Sequence, residues 1–168
     1  MIKGFLGKLD PKKKLFNAQH NQVVCKGITN TMYVTASDAS RLDGFSVSAC
    51  LIDEYHEAAT SEVKDVFKTA MGNRNQPFMA VVTTRGFDMS KPCFALDQYA
   101  GEVATGEKKD EALFSMIFTL DDGDDWRDPA VWVKANPNMG VTTSVSYIQS
   151  ELAKAENSTA TKSTSEPS

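Results

Sequence analysis

Cys50-Leu51-Ile52-Asp53-Glu54-Tyr55-His56 passes from apolar residues straight into adjacent carboxylates. A half-buried strand alternates apolar and polar residues, whereas a continuously apolar one expects cover on both faces, as in the parallel sheet of an α/β protein. Met79-Ala80-Val81-Val82 repeats the pattern further along. Strands are expected over Met32 to Ala36, Val47 to Ile52, Phe78 to Thr83 and Leu113 to Leu120. Helix-like stretches separate them, which predicts α/β architecture with a mostly parallel sheet flanked by helices.

The helical signals are local. Thr60 is placed to cap a helix running to Met71, with Glu62 and Asp65 in its first turns, Val63, Val66, Phe67 and Ala70 at helical spacing, and Gly72 ending it. A second helix is expected after Pro92 through Leu96, Tyr99 and Ala100 toward Gly106. Beyond Leu120 come the acidic turn Asp121-Asp122-Gly123-Asp124-Asp125, a short helix around Val131-Trp132-Val133 and the turn Asn136-Pro137-Asn138-Met139-Gly140. Ser144 or Ser146 opens a last helix through Leu152 and Ala155.

Four regions follow: a basic leader over 1–30, the α/β core over 31–120, a closing or linking region over 121–156, and a tail over 157–168. The leader gathers Lys3, Lys8, Lys12, Lys13 and Lys14 against Asp10 alone and reads as an exposed helix or loose end. The tail, mostly serine and threonine with no large apolar residue, is expected to be disordered.

Chemistry concentrates where the first apolar strand ends. A buried parallel strand fixes its C-terminal end rigidly at the ligand-binding edge of a sheet. A carboxylate there, Asp53, is suited to hold a magnesium ion on phosphate oxygens, and the next, Glu54, to orient and polarise an attacking water, as in a Walker B element. The plainer alternative is a strand-end acid that caps the next segment. His56 completes an Asp-Glu-Tyr-His run that also fits a nucleic-acid helicase motif, or it packs at a loop edge; no second metal ligand stands at the needed spacing. Thr83 and Thr84, in Val81-Val82-Thr83-Thr84-Arg85-Gly86, offer hydroxyls that reach a terminal phosphate or its water, although threonine is also simply a good strand residue.

Composition limits the alternatives. Hydrophobic residues at 41% and charged residues at 24% match a folded globular chain. A net charge of -4 gives no overall pull toward nucleic acid. Cys25, Cys50 and Cys93 have no disulfide or zinc spacing, and no segment is apolar enough for a signal peptide or membrane span, so a cytosolic protein is expected.

Taken in order, Ala36 to Gly44, Leu51 to Glu57, Thr83 to Asp88, Asp124 to Pro129 and Lys134-Ala135-Asn136-Pro137-Asn138 resemble the tailed-phage terminase large subunit family, over roughly Thr31 to Ala155. That resemblance implies an additional-strand P-loop NTPase fold and ATP-driven packaging of double-stranded DNA in the host cytoplasm. It places Asp53 and Glu54 on the family's Walker B pair and Thr83 and Thr84 on its coupling motif. ATP and magnesium are the implied cofactors; the small terminase subunit, the portal protein and DNA are the implied partners. The tryptophan-containing acidic segment resembles the end of the ATPase domain and its approach to the nuclease.

Departures from the family pattern set further expectations. No Gly-x-x-x-x-Gly-Lys-Ser/Thr occurs among the 168 residues, and the nuclease domain is expected to be absent. Arg85 stands where the coupling motif commonly has alanine, and an exposed loop arginine is the plain reading. The chain is therefore expected to be part of a terminase ATPase, inactive unless another chain supplies the phosphate loop. The alternatives are a noncatalytic interaction protein on the same scaffold and, more remotely, part of a helicase. Without the strand that feeds the phosphate loop, a gap is expected in the sheet beside Phe78 to Thr83.

Overall fold

The computed structural model describes residues 2–28, 30–35, 44, 46–86 and 88–163. The chain divides into two compact units, Met1–Gln98 and Tyr99–Ser168.

The first unit opens with helix α1, Ile2–Leu9, followed by strands β1 (Phe16–Ala18), β2 (Gln22–Cys25) and β3 (Thr31–Tyr33) in an antiparallel meander. Asp10, the leader's acid, explains why this basic segment is ordered. Its buried carboxylate accepts the backbone N–H groups of Lys14, Leu15 and Phe16 at 2.9, 2.7 and 2.9 Å, tying the end of α1 to the start of β1. Burial by itself raises the pKa of Asp10, but those three N–H donors, assisted by Lys26, outweigh it and hold the group below its ordinary value. Gly27, at φ +88°, makes the turn after β2 in a conformation that disfavours side chains.

This meander corrects the expected first parallel strand. Thr31–Tyr33 pairs antiparallel with β2 in the register Gln22↔Tyr33, Val23↔Met32 and Val24↔Thr31. Three- and four-residue strands carry too little periodicity to announce themselves, although Gln22–Cys25 between Asn21 and Gly27 is a strand bounded by turn residues. Ala36 lies outside the described residues.

The remaining strands of this unit, β4 (Ala49–Asp53) and β5 (Phe78–Val82), form a parallel pair in the register Ala49↔Phe78 to Asp53↔Val82. Helix α2, Glu62–Ala70, makes the crossover between them. Its N-cap is Ser61 rather than Thr60, and the Ser61 hydroxyl donates to Asp65 at 2.6 Å. Helix α3, Pro92–Ala104, starts at the expected proline, and the boundary between units falls within it. The buried apolar residues of the first unit are Cys50, Tyr55, Met71 and Cys93.

In the second unit, α4 (Trp132–Ala135) buries Trp132, whose indole N–H donates to the Trp126 carbonyl at 2.8 Å. Lys134 gathers the acidic turn, its ammonium 2.6 Å from Asp121 and 2.8 Å from Asp124. Helix α5, Val145–Ser163, is capped by Ser144, whose hydroxyl accepts the Tyr147 N–H at 3.2 Å. Two expectations fail here. Leu113 to Leu120 is not a strand, since a strand is a pairing and this apolar run finds no partner strand among the described residues. The expected disordered tail begins as helix, because α5 continues through Asn157 to Ser163; extending a nucleated helix costs far less than starting one.

Apolar residues remain uncovered in both units. Leu51 on β4 and Phe78 on β5 are 67% and 64% exposed, and Phe114 in the irregular run is 81% exposed. Among the described residues β4 and β5 pair with no other strand, so each keeps an outer edge with backbone donors and acceptors. The isolated chain is expected to associate as its concentration rises. Light scattering over a dilution series tests this, and a monomer with a sharp, reversible, high-temperature melt would contradict it.

Asp10 yields a second expectation. Because the folded chain lowers its pKa, the stability it contributes is full above the ordinary value of 3.8 and is lost as pH falls through that value toward the folded one. Asp10→Asn is expected to lower the thermal midpoint at neutral pH and to flatten the loss of stability below about pH 4. Unchanged acid sensitivity in the variant, followed by circular dichroism, would assign it to other carboxylates.

Candidate active site

Parallel pairing in register brings the ends of β4 and β5 out at one edge of the sheet, with Asp53 opposite Val82 and Thr83 next in line. Glu54 then takes φ 51° and ψ 46°, the left-handed region, where a non-glycine residue costs roughly 1–2 kcal/mol. Its N–H donates to Asp53 Oδ1 at 3.0 Å. One turn of 3-10 helix, Tyr55–Glu57, follows, with the Glu57 N–H on the Glu54 carbonyl at 2.9 Å. Tyr55, 2% exposed, roots this turn in the core, and the Glu54 side chain stays 60% exposed above it. Backbone strain of this kind persists where surrounding structure enforces it, and it concentrates at functional sites.

His56 joins the two strand ends. Its backbone N–H donates to Thr83 Oγ1 at 2.9 Å, and its Nδ1 lies 3.1 Å from the same oxygen and 3.3 Å from Thr84 Oγ1. Thr83 directs its own proton to the Thr84 carbonyl at 2.8 Å. The imidazole is flanked by carboxylates, with Glu54 Oε2 3.3 Å from Nδ1 and Glu57 Oε1 3.1 Å from Nε2. From the start of α3, Lys91 Nζ donates to the His56 carbonyl at 3.1 Å, and Cys93 Sγ lies 3.9 Å from Thr83 Oγ1. Gly86 lets the loop after β5 pass close to His56, for a Cβ there would stand 3.2 Å from the His56 Cβ.

The four residues singled out by sequence therefore share one sheet edge. Glu54, Thr83 and Thr84 converge on His56, while Asp53 faces outward and bonds only the Glu54 N–H among the described groups. His56, ambiguous in the sequence, is the centre of the arrangement. Lys91 and Cys93 were not foreseen, because their place depends on how α3 packs and no local signal carries that. Arg85 is exposed and turned aside, its guanidinium 2.8 Å from Asp97 on α3.

Two adjacent exposed carboxylates at a strand end suit magnesium, a hard ion that takes one or two protein carboxylates and completes its octahedron with water and phosphate oxygens. Among the described residues no three His, Cys, Asp or Glu side chains gather as a metal cage, so the protein by itself offers an open donor set. No helix among those residues is long and apolar enough to cross a membrane.

Residues 7–102 match the family model "Terminase large subunit, ATPase domain". The chain belongs to the terminase large subunit family. A second model, "Terminase large subunit, endonuclease domain", matches residues 107–165. The chain is 40% identical over 115 residues to Protein YmfN of Escherichia coli (strain K12), an alignment covering 68% of this chain and 25% of that protein. Its fold resembles the crystal structure of the HK97 bacteriophage large terminase, with a TM-score of 0.76 at 16% identity over 92% of this chain and 32% of that one. The chain thus spans about a quarter to a third of the length of these relatives.

Two expectations change. Most of the 1–30 leader lies inside the ATPase-domain match, consistent with its ordered meander. The expected absence of the nuclease domain does not hold for its matched portion, since 107–165 includes the 121–156 region assigned to the end of the ATPase domain.

Tyr55 Oη is buried with no hydrogen-bond partner among the described residues. Burial first, then Asp65 and Cys93, raises its pKa, so it remains a neutral phenol. Because a buried unsatisfied hydroxyl costs about 1–3 kcal/mol, Tyr55→Phe is expected to hold or raise stability, by up to about 1 kcal/mol. Chemical denaturation measures this, and a clear loss would reveal a partner for the hydroxyl.

Proposed function

We propose that this chain carries the magnesium- and water-handling half of a P-loop ATPase site that drives DNA packaging. The observation that supports it most is the in-register parallel pair that brings Asp53 and Glu54 to the same edge as Thr83 and Thr84. In this reading Asp53 holds magnesium. Glu54, exposed and free to approach a ligand, orients and polarises the attacking water, and Thr83 and Thr84 respond to the terminal phosphate. Bound magnesium would neutralise phosphate charge.

The backbone cradle and lysine for the phosphates are missing from the 168-residue sequence, so a segment or chain bearing them has to complete the site. The small terminase subunit, the portal protein and double-stranded DNA are the partners that packaging requires, and the host cytoplasm is where it takes place. A noncatalytic scaffold is the second reading. Its support is the exposed apolar surface around Leu51 and Phe78, which suits protein association without requiring turnover.

The purified chain is expected to show no ATP turnover above background. Mixing with a phosphate-loop fragment is expected to produce magnesium-dependent hydrolysis that Glu54→Gln lowers by about 100-fold or more, as loss of a water-orienting group does. Magnesium-dependent turnover by the chain alone, abolished by Glu54→Gln, would overturn the incomplete-site reading. Binding to the fragment without turnover would favour the scaffold.

A further inference from the structure

We propose that His56 is a positioning residue that couples the Glu54 carboxylate to Thr83 and Thr84 through polar contacts that meet at its Nδ1. The inference rests on the ATPase reading for its functional meaning, but its geometry stands apart from that reading. Three oxygens surround one nitrogen: Thr83 Oγ1 at 3.1 Å, Thr84 Oγ1 at 3.3 Å and Glu54 Oε2 at 3.3 Å. Thr83 Oγ1 also accepts the His56 backbone N–H and donates to the Thr84 carbonyl, which fixes its place beside the imidazole. One ring nitrogen cannot align well with three oxygens at once, so the three contacts compete for it.

The competition makes the two strand ends interdependent. While Glu54 lies against Nδ1, the threonines share that nitrogen with it. When Glu54 turns to a water or an ion, Nδ1 is left to Thr83 and Thr84. Since the His56 backbone N–H also ends on Thr83 Oγ1, a movement of the imidazole reaches the β5 loop through two linked bonds. Glu57 on Nε2 and Lys91 on the His56 carbonyl hold the other sides of the residue, which limits its motion to rotation about that fixed frame. The close passage of Gly86 against the His56 Cβ has the same effect.

A double-mutant cycle on the full chain, read by amide and imidazole nitrogen NMR without nucleotide, tests the coupling. Glu54→Ala is expected to displace the Thr83 and Thr84 amide resonances and the His56 Nδ1 resonance. In a His56→Ala background the threonine displacement is expected to fall by about half or more. In a His56→Asn background, where the side-chain amide nitrogen takes roughly the Nδ1 position, it is expected to return. Equal displacement with and without His56, or no displacement in its presence, would overturn the proposal. Should His56→Ala unfold, Glu54→Ala alone and in the His56→Asn background still decide it, because silence at Thr83 and Thr84 in either is incompatible with coupling. A failure here leaves the ATPase reading intact, and a failure of complemented turnover leaves the coupling result intact.

Discussion

The parallel register of β4 and β5 is the constraint on which the site depends. Pairing Ala49 with Phe78 puts Asp53 opposite Val82, so the carboxylates and the threonines leave the sheet on the same level. A slip of one residue would turn every side chain of a strand to the opposite face, and the His56 contacts to Thr83 would be lost with it. The crossover α2, with the Ser61–Asp65 side-chain bond in its first turn, therefore matters to the site, although it does not touch it.

Directly past that register, the chain trades backbone comfort for placement. Glu54 occupies left-handed space, which turns its side chain out while Tyr55 turns in. Neither can be relaxed alone: a regular extension at Glu54 would carry Tyr55 out of the core, and a solvated Tyr55 would release the turn that presents His56. Strain at one residue is balanced by burial of its neighbour, and the polar contacts of His56 fix the outcome.

How much of this was legible in the sequence follows from what each feature needs. The apolar runs ending at Asp53 and at Thr83 are local facts, and the structure keeps both as parallel strands. Pro92 starting a helix and Ser144 capping another are local as well. The meander was illegible because its strands are short and its order rests on Asp10, one acid whose acceptance of three backbone N–H groups no composition count conveys. Leu113 to Leu120 failed for the opposite reason: its pattern was clear, but pattern cannot supply a partner. His56 was visible as a residue and invisible as a hub, since its partners lie 27 and 28 positions away in sequence.

Stability and completeness of the site are physically the same question. Full burial of a side chain such as leucine, valine or phenylalanine stabilises by about 1.5–3 kcal/mol. Leu51, Phe78 and Val82 on the small sheet remain largely exposed, so their uncovered share, roughly 3–6 kcal/mol, reaches the lower end of the 5–15 kcal/mol that separates a typical folded domain from its unfolded chain. A strand laid along the open edge of β5 would satisfy its free backbone groups and widen the sheet, giving elements packed on the face more to cover. In the P-loop reading, that strand also ends in the loop that grips phosphate. Pairing the open edge and assembling the nucleotide site would then be one event, with the free energy of the first available to hold the geometry of the second. The open edge of β5 is in that reading the means by which Asp53, Glu54, Thr83 and Thr84 would be brought to a phosphate-binding segment.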